Sequence, residues 1–109
     1  MAYDQALAQR VRAALQATPG LTEVKMFGGI CFMVAGNMAG GVINDSLMVR
    51  VGTDARDAAL AQPHARLLDM TGRTMKGWVL VEPAGIESDA DLTRWIGQGV
   101  AYAQALPPK

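Results

Sequence analysis

Cysteine, histidine and aromatic side chains are scarce in this chain, and each scarcity removes a kind of chemistry. The single cysteine, Cys31, excludes an internal disulfide and a multi-cysteine zinc site, and suits a reducing compartment. The single histidine, His64, follows Pro63 in an expected loop, where ligation or base catalysis would need convergent partners. Two Phe, two Trp and two Tyr offer little for stacking on nucleic-acid bases. Neither sign of charge is in excess: 10 Lys and Arg balance 10 Asp and Glu, so general attraction to nucleic acid or an anionic membrane is missing. No apolar run approaches membrane length and no charged leader opens the chain, so a cytoplasmic protein is expected.

What remains is glycine-punctuated and apolar. The 109 residues make one domain, 50% hydrophobic, with enough chain for a single modest core. Residues 25–51, KMFGGICFMVAGNMAGGVINDSLMVRV, carry the organising signal. Gly28-Gly29 and Gly36-Asn37 supply the positive φ angles of two-residue hairpin loops, and connections this short join antiparallel neighbours. Four short strands in a meander result. With those loops, Met26 falls beside Cys31, Val24 beside Met33, and Cys31 opposite Val42. One face is then Val24, Met26, Cys31, Met33, Ala35 and Val42; the other holds Phe27, Ile30, Phe32, Val34 and Ile43, diluted by Glu23 and Lys25. Both are apolar, so both need cover. A bulge near Gly40-Gly41 would exchange the faces beyond it.

Helices flank the meander. Residues 4–17 place Leu7, Val11, Ala14 and Leu15 on one stripe behind an Asp4 N-cap, with Arg10 and Arg12 off the stripe on a solvated face. Residues 88–106 begin with Ser88 and Asp91 in a capping-box arrangement and bury Leu92, Trp95, Ile96, Gly99, Val100 and Ala103. Gly99 on that stripe permits close approach to the sheet or the first helix. A short helix capped by residues 52–54 is expected at 55–62, a short strand at 66–70 with a turn at 71–73, and a strand at 77–82. The fold class is α+β: an antiparallel meander of about five strands with the N- and C-terminal helices on one face.

No catalytic constellation is visible. Gly97-Gln98-Gly99 lies inside a helix and not after a strand, and GRTMKG at 72–77 lacks the spacing of a phosphate-binding loop. Cys31, mid-strand between Ile30 and Phe32, reads as a buried, inert thiol. Seven methionines are many for this length, and serve as core filler or as an adaptable contact surface. No cofactor or metal is expected.

Three stretches nevertheless carry a resemblance. Lys25-Met26-Phe27-Gly28-Gly29, Gly36-Asn37-Met38, and Arg73-Thr74-Met75-Lys76-Gly77-Trp78-Val79-Leu80-Val81 resemble the TfoX N-terminal domain, over roughly residues 6–105. These motifs are turn glycines and sheet residues and include no catalytic group; Thr74 stands where that family often has Pro. The resemblance implies the element order helix, four-stranded meander, short helix, strand, helix. Full-length TfoX/Sxy proteins are bacterial regulators of competence genes that act with a cyclic-AMP-dependent activator and carry a helical C-terminal domain; this chain ends at Lys109 without one.

Three functions follow as expectations. A regulatory or protein-interaction module comes first, with Phe27, Ile30, Phe32 and Ile43 as its contact face, covered by a protein partner or by a second copy in a homodimer. The loop at 63–76 folding back over that face, with Leu67, Leu68 and Met70, is the rival cover. Nucleic-acid binding through Arg66, Arg73 and Lys76 is the second function. A small enzyme or ligand binder is the third, recruiting Asp45, His64, Asp69 or Cys31, and a pocket that gathers His64 with a carboxylate would be its mark.

Overall fold

A computed structural model describes residues 3–26, 28–70 and 73–108, with only the backbone of Met70, Arg73 and Thr74. Helix α1 (Gln5–Leu15) precedes strands β1 (Leu21–Met26), β2 (Gly29–Val34), β3 (Asn37–Ile43) and β4 (Ser46–Arg50); then come α2 (Arg56–Leu60), β5 (Ala65–Met70), β6 (Arg73–Val81), a 3₁₀ turn (Pro83–Gly85) and α3 (Asp89–Gln104). The strands form one antiparallel sheet in the order β1-β2-β3-β4-β6-β5. Six strands therefore stand where about five were expected. The strand expected at 66–70 is β5, which pairs along the outer side of β6. The expected turn at 71–73 falls largely outside the described residues.

Both long helices begin as their caps dictate. The Asp4 carboxylate accepts from the Ala6 and Leu7 amides at 2.9 and 3.1 Å, and the Ser88 hydroxyl accepts from the Asp91 amide at 3.1 Å. Leu7, Ala8, Val11 and Leu15 of α1 and Leu92, Trp95, Ile96, Gly99, Val100 and Ala103 of α3 are buried against the sheet. The arginines of α1 are not idle. Arg10 donates to the Ile86 and Glu87 carbonyls at 2.7 and 3.2 Å and pairs with Asp89, which ties α1 to the start of α3. Arg12 grips both Glu23 oxygens at 2.9 Å, joining α1 to the outer strand β1, and this pairing holds the guanidinium charged. The solvated-face expectation for both residues is thus corrected. The short helix begins one residue later than expected, with Ala55 at its N-cap and no side-chain cap.

The hairpins shift by one residue from the expected loops. Met26 pairs with Gly29 and Val34 with Asn37. Gly28 (φ 74°) lies in the first connection and Gly29 opens β2, while Phe27 lies outside the described residues. The second loop is Ala35-Gly36, with φ of 51° and 84°, the two positive values of a type I′ turn. Asn37 is consequently not a turn residue. It opens β3, is 2% exposed, and its amide donates to the Pro107 carbonyl at 2.9 Å, fastening the C-terminal tail.

A bulge decides the faces. Met33 pairs with Met38 but Phe32 with Gly40, so Ala39 is the extra residue in β3. Beyond it Val42 faces Ile30 and not Cys31. The row Ile30-Val42-Leu47-Val81 and the row Phe32-Gly40-Val49-Val79 then run across the central strands on one side. This is the larger apolar face, and all three helices pack there: Ile30, Phe32, Val42, Leu47, Val49, Val79 and Val81 share a core with α1, α3 and Ala59 of α2. The expectation that Ile30 and Phe32 face a partner therefore falls: the two long helices cover that side, and α2 packs there with them.

Candidate functional site

The side of the sheet without helices is built by the same register. Val24, Cys31, Gly41, Met48, Leu80 and Arg66 are successive partners across all six strands, one residue from each. Opposed residues share a face. Neighbouring positions add Met33, Met38 and Ile43 on the meander and Trp78, paired with Arg50, on β6. Met48, Leu68 and Trp78 form a second buried apolar cluster, with Met38, Ile43, Met75 and Leu80 packed half-buried around it.

Among the described residues no element covers that cluster, so the sheet shields it by curvature. Six strands at a spacing of about 4.8 Å would set β1 and β5 about 24 Å apart in a flat sheet. Yet Met26 of β1 and Leu68 of β5 line the same cavity of about 10 Å³, together with Cys31, Met38, Met48, Met75 and Trp78. The helix-free face is therefore concave, rolled toward a half-barrel. The Ala39 bulge and the irregularity between Leu67 and Asp69 in β5 supply local twist. Among the described residues the large apolar side chains left exposed are Val24 and Leu67, on the two edge strands. Cys31 is fully buried, and burial pushes its thiol up to about 11 against the opposing effect of Arg50. Arg50 sits at the rim, donating to the Met38 carbonyl at 3.3 Å with its guanidinium 5.2 Å from the centre of the Tyr102 ring.

The expected contact face does not exist as a unit. Ile30 and Phe32 are 2% and 0% exposed beneath the helices, Ile43 is half-buried on the opposite side, and Phe27 lies outside the described residues. The Ala39 bulge separates Ile43 from the other two. Nor does the 63–76 segment fold back as a loop; it supplies β5 and the start of β6, and its Leu68 lies on the concave side. The sulfur-rich cluster that takes the contact face's place was missed, although the methionine count and the shared parity of Met26, Cys31 and Met33 were available signals.

Of the basic candidates, Arg66 is exposed and pairs with Glu82 at 3.4 Å, and Lys76 is exposed on β6. Arg73 is placed by its backbone alone, opposite Met70. Asp45 lies at the β3–β4 turn beside a groove with Asp4 and Arg10, and Asp69 pairs across β5–β6 with Thr74 in backbone register. The cavities lined by His64 or by Cys31 include neither Asp45 nor Asp69. His64, in a left-handed conformation (φ 68°), does border a carboxylate: a surface groove of about 340 Å³ is lined by Gln62, His64, Asp91, Arg94 and Trp95. The charges there already engage one another. Arg94 lies 3.6 Å from Asp91, donates to Gln62 at 2.7 Å, and stacks 5.0 Å from the Trp95 ring centre. Among the described residues no three His, Cys, Asp or Glu side chains gather so as to hold a metal ion, and no helix is long and apolar enough to cross a membrane.

Comparison with known families places this architecture. The model of the TfoX N-terminal domain matches residues 4–103, essentially the whole chain. Searches of curated proteins and of solved structures found no match.

Proposed function

The chain belongs to the TfoX N-terminal domain family, and we propose that it works as a cytoplasmic protein-interaction or regulatory module whose contact surface is the concave, helix-free face. The observation that carries this is the one-sided placement of the helices, which leaves Met38, Ile43, Met75 and Leu80 half-buried with no helix among the described residues over them. Unbranched thioethers repack against different partners at little cost, so a methionine-rich rim suits an adaptable contact. The partner is a protein that presents an apolar segment: a different chain, or a second copy as a homodimer.

The test is affinity capture from the source cell together with sedimentation of the purified chain, for wild type and for Ile43→Asp with Met75→Asp. Loss of the captured partner, or of the dimer, by a doubly substituted chain that keeps its circular dichroism supports the reading. Unchanged capture and unchanged mass overturn it. A second reading, a small-ligand site, is favoured by one observation, the groove that gathers His64 with Asp91. His64→Ala would then abolish ligand binding and leave the protein contact intact.

A further inference from the structure

We propose that the cavity of the concave face binds a soft monovalent metal cation, with the chemistry of Cu(I), through the Cys31 sulfur and the Met48 thioether, completed by one or two of the other lining thioethers, Met26, Met38 and Met75. The lining carries the inference. Of the seven side chains around the cavity, five end in or contain sulfur, and the other two are Leu68 and Trp78. Four of the chain's seven methionines and its only cysteine thus converge from β1, β2, β3 and β4 and from β6 on one small space.

Gly41 makes the convergence possible. It lies between Cys31 and Met48 in the row that crosses the sheet, and a side chain there would run into the Ile30 carbonyl and also meet the Met48 methyl at 2.9 Å and the Cys31 Cα at 3.0 Å. With no Cβ in the way, Met48 folds over β3 toward β2, on the side where Cys31 stands.

The donor set selects the ion. Thiolate and thioether are soft ligands and favour Cu(I) over the divalent metals that prefer imidazole and carboxylate. Charge selects in the same direction. A thiolate and a monovalent cation together are neutral, whereas a divalent ion would leave a net charge among apolar walls, at a heavy desolvation cost. A cavity of about 10 Å³ admits one atom-sized occupant, which excludes a hydrated ion.

Binding forms one Cys31 Sγ–Cu bond and breaks the Sγ–H bond. The proton passes to solvent and no oxidation state changes.

The experiment titrates the reduced, full-length chain without oxygen, with Cu(I) delivered from a chromogenic Cu(I) chelator. Expected are one equivalent withheld from the chelator, quenched tryptophan emission from Trp78, and one proton released. Cys31→Ser should weaken binding by at least the about 10–100-fold that loss of an outer-sphere partner costs. Met48→Leu, which conserves volume and so keeps the fold, should weaken it measurably. Met33→Leu, outside the cavity lining, should leave it unchanged. If the chelator keeps all its copper, or if Met48→Leu and Met33→Leu bind alike, the sulfur cluster is core packing and the proposal fails. Both methionine variants are informative even where Cys31→Ser does not fold.

Discussion

Replacing Gly99 by Ala adds one methyl group where α3 lies closest to the sheet. The new Cβ would fall inside van der Waals contact of the Ala39 carbonyl oxygen and 3.0 Å from its carbon. Ala39 is the bulge residue of a central strand, so its backbone has little freedom to yield. Relief has to come from lifting α3, which carries Leu92, Trp95, Ile96 and Val100 in the core. Overpacking of this kind costs about 1–3 kcal/mol, and contact with backbone puts it at the upper end. Helix propensity works the other way, because Ala is better than Gly by about 0.8–1.0 kcal/mol. The net expectation is a loss of about 2 kcal/mol. Gly97 is the internal control: on the same helix, its added Cβ meets nothing within 4 Å. Gly97→Ala should therefore stabilise by up to about 1 kcal/mol. Urea unfolding reads the contrast directly. A separation of about 3 kcal/mol corresponds to midpoints about 1.5 M apart at a slope of about 2 kcal/mol/M. If Gly99→Ala raises the midpoint as Gly97→Ala does, the close seating of α3 on β3 is wrong.

Leu15→Ala and Ile96→Ala should each cost about 2–5 kcal/mol in the same assay, since both side chains are buried between helices and sheet; losses below about 0.5 kcal/mol at both would refute that packing. Ala35 holds a positive φ without the glycine or asparagine that type I′ turns favour, so Ala35→Asn should raise stability by about 1 kcal/mol, read as a higher urea midpoint. Cys31 gives a pH signature. Its thiol ordinarily loses its proton near 9.0, so the unfolded chain deprotonates first while the folded one keeps its proton to about 11. The contribution is fully present below pH 9.0 and lost as pH rises toward 11. The stability difference between wild type and Cys31→Ala should therefore change against wild type by up to about 3 kcal/mol across that window, and a flat difference would show the thiol to be solvated.

The fold was legible wherever a local rule governs. Asp4 and Ser88 cap α1 and α3 because each is followed by amides that need an acceptor, and the stripes through Leu7, Val11 and Leu15 and through Leu92, Trp95 and Ile96 face the core at helical spacing. The turns were legible to within one residue. That error did no harm to the first hairpin, because moving the β1–β2 partner by two positions keeps every side chain on its own face. The second hairpin was different: the same small shift there came with a bulge, and one inserted residue inverts all that follows.

Ala39 is the point at which the sequence stops being readable. The glycine pair at 40–41 signals a bulge beside this residue, but its position, and so which side gains Val42, depends on the neighbouring strand and on α3 seating Gly99 above it. With the bulge in place, Val42, Leu47, Val49, Val79 and Val81 join Ile30 and Phe32, and the helices take that wider face because it buries more apolar area. Without it, the faces appear nearly equal and the smaller one is easily given to the helices. The functional consequence follows from the same residue. With Ile30, Phe32, Val42, Leu47 and Val49 committed to the helix side, the opposite side of the sheet carries the unbranched sulfur residues Met26, Cys31, Met38 and Met48.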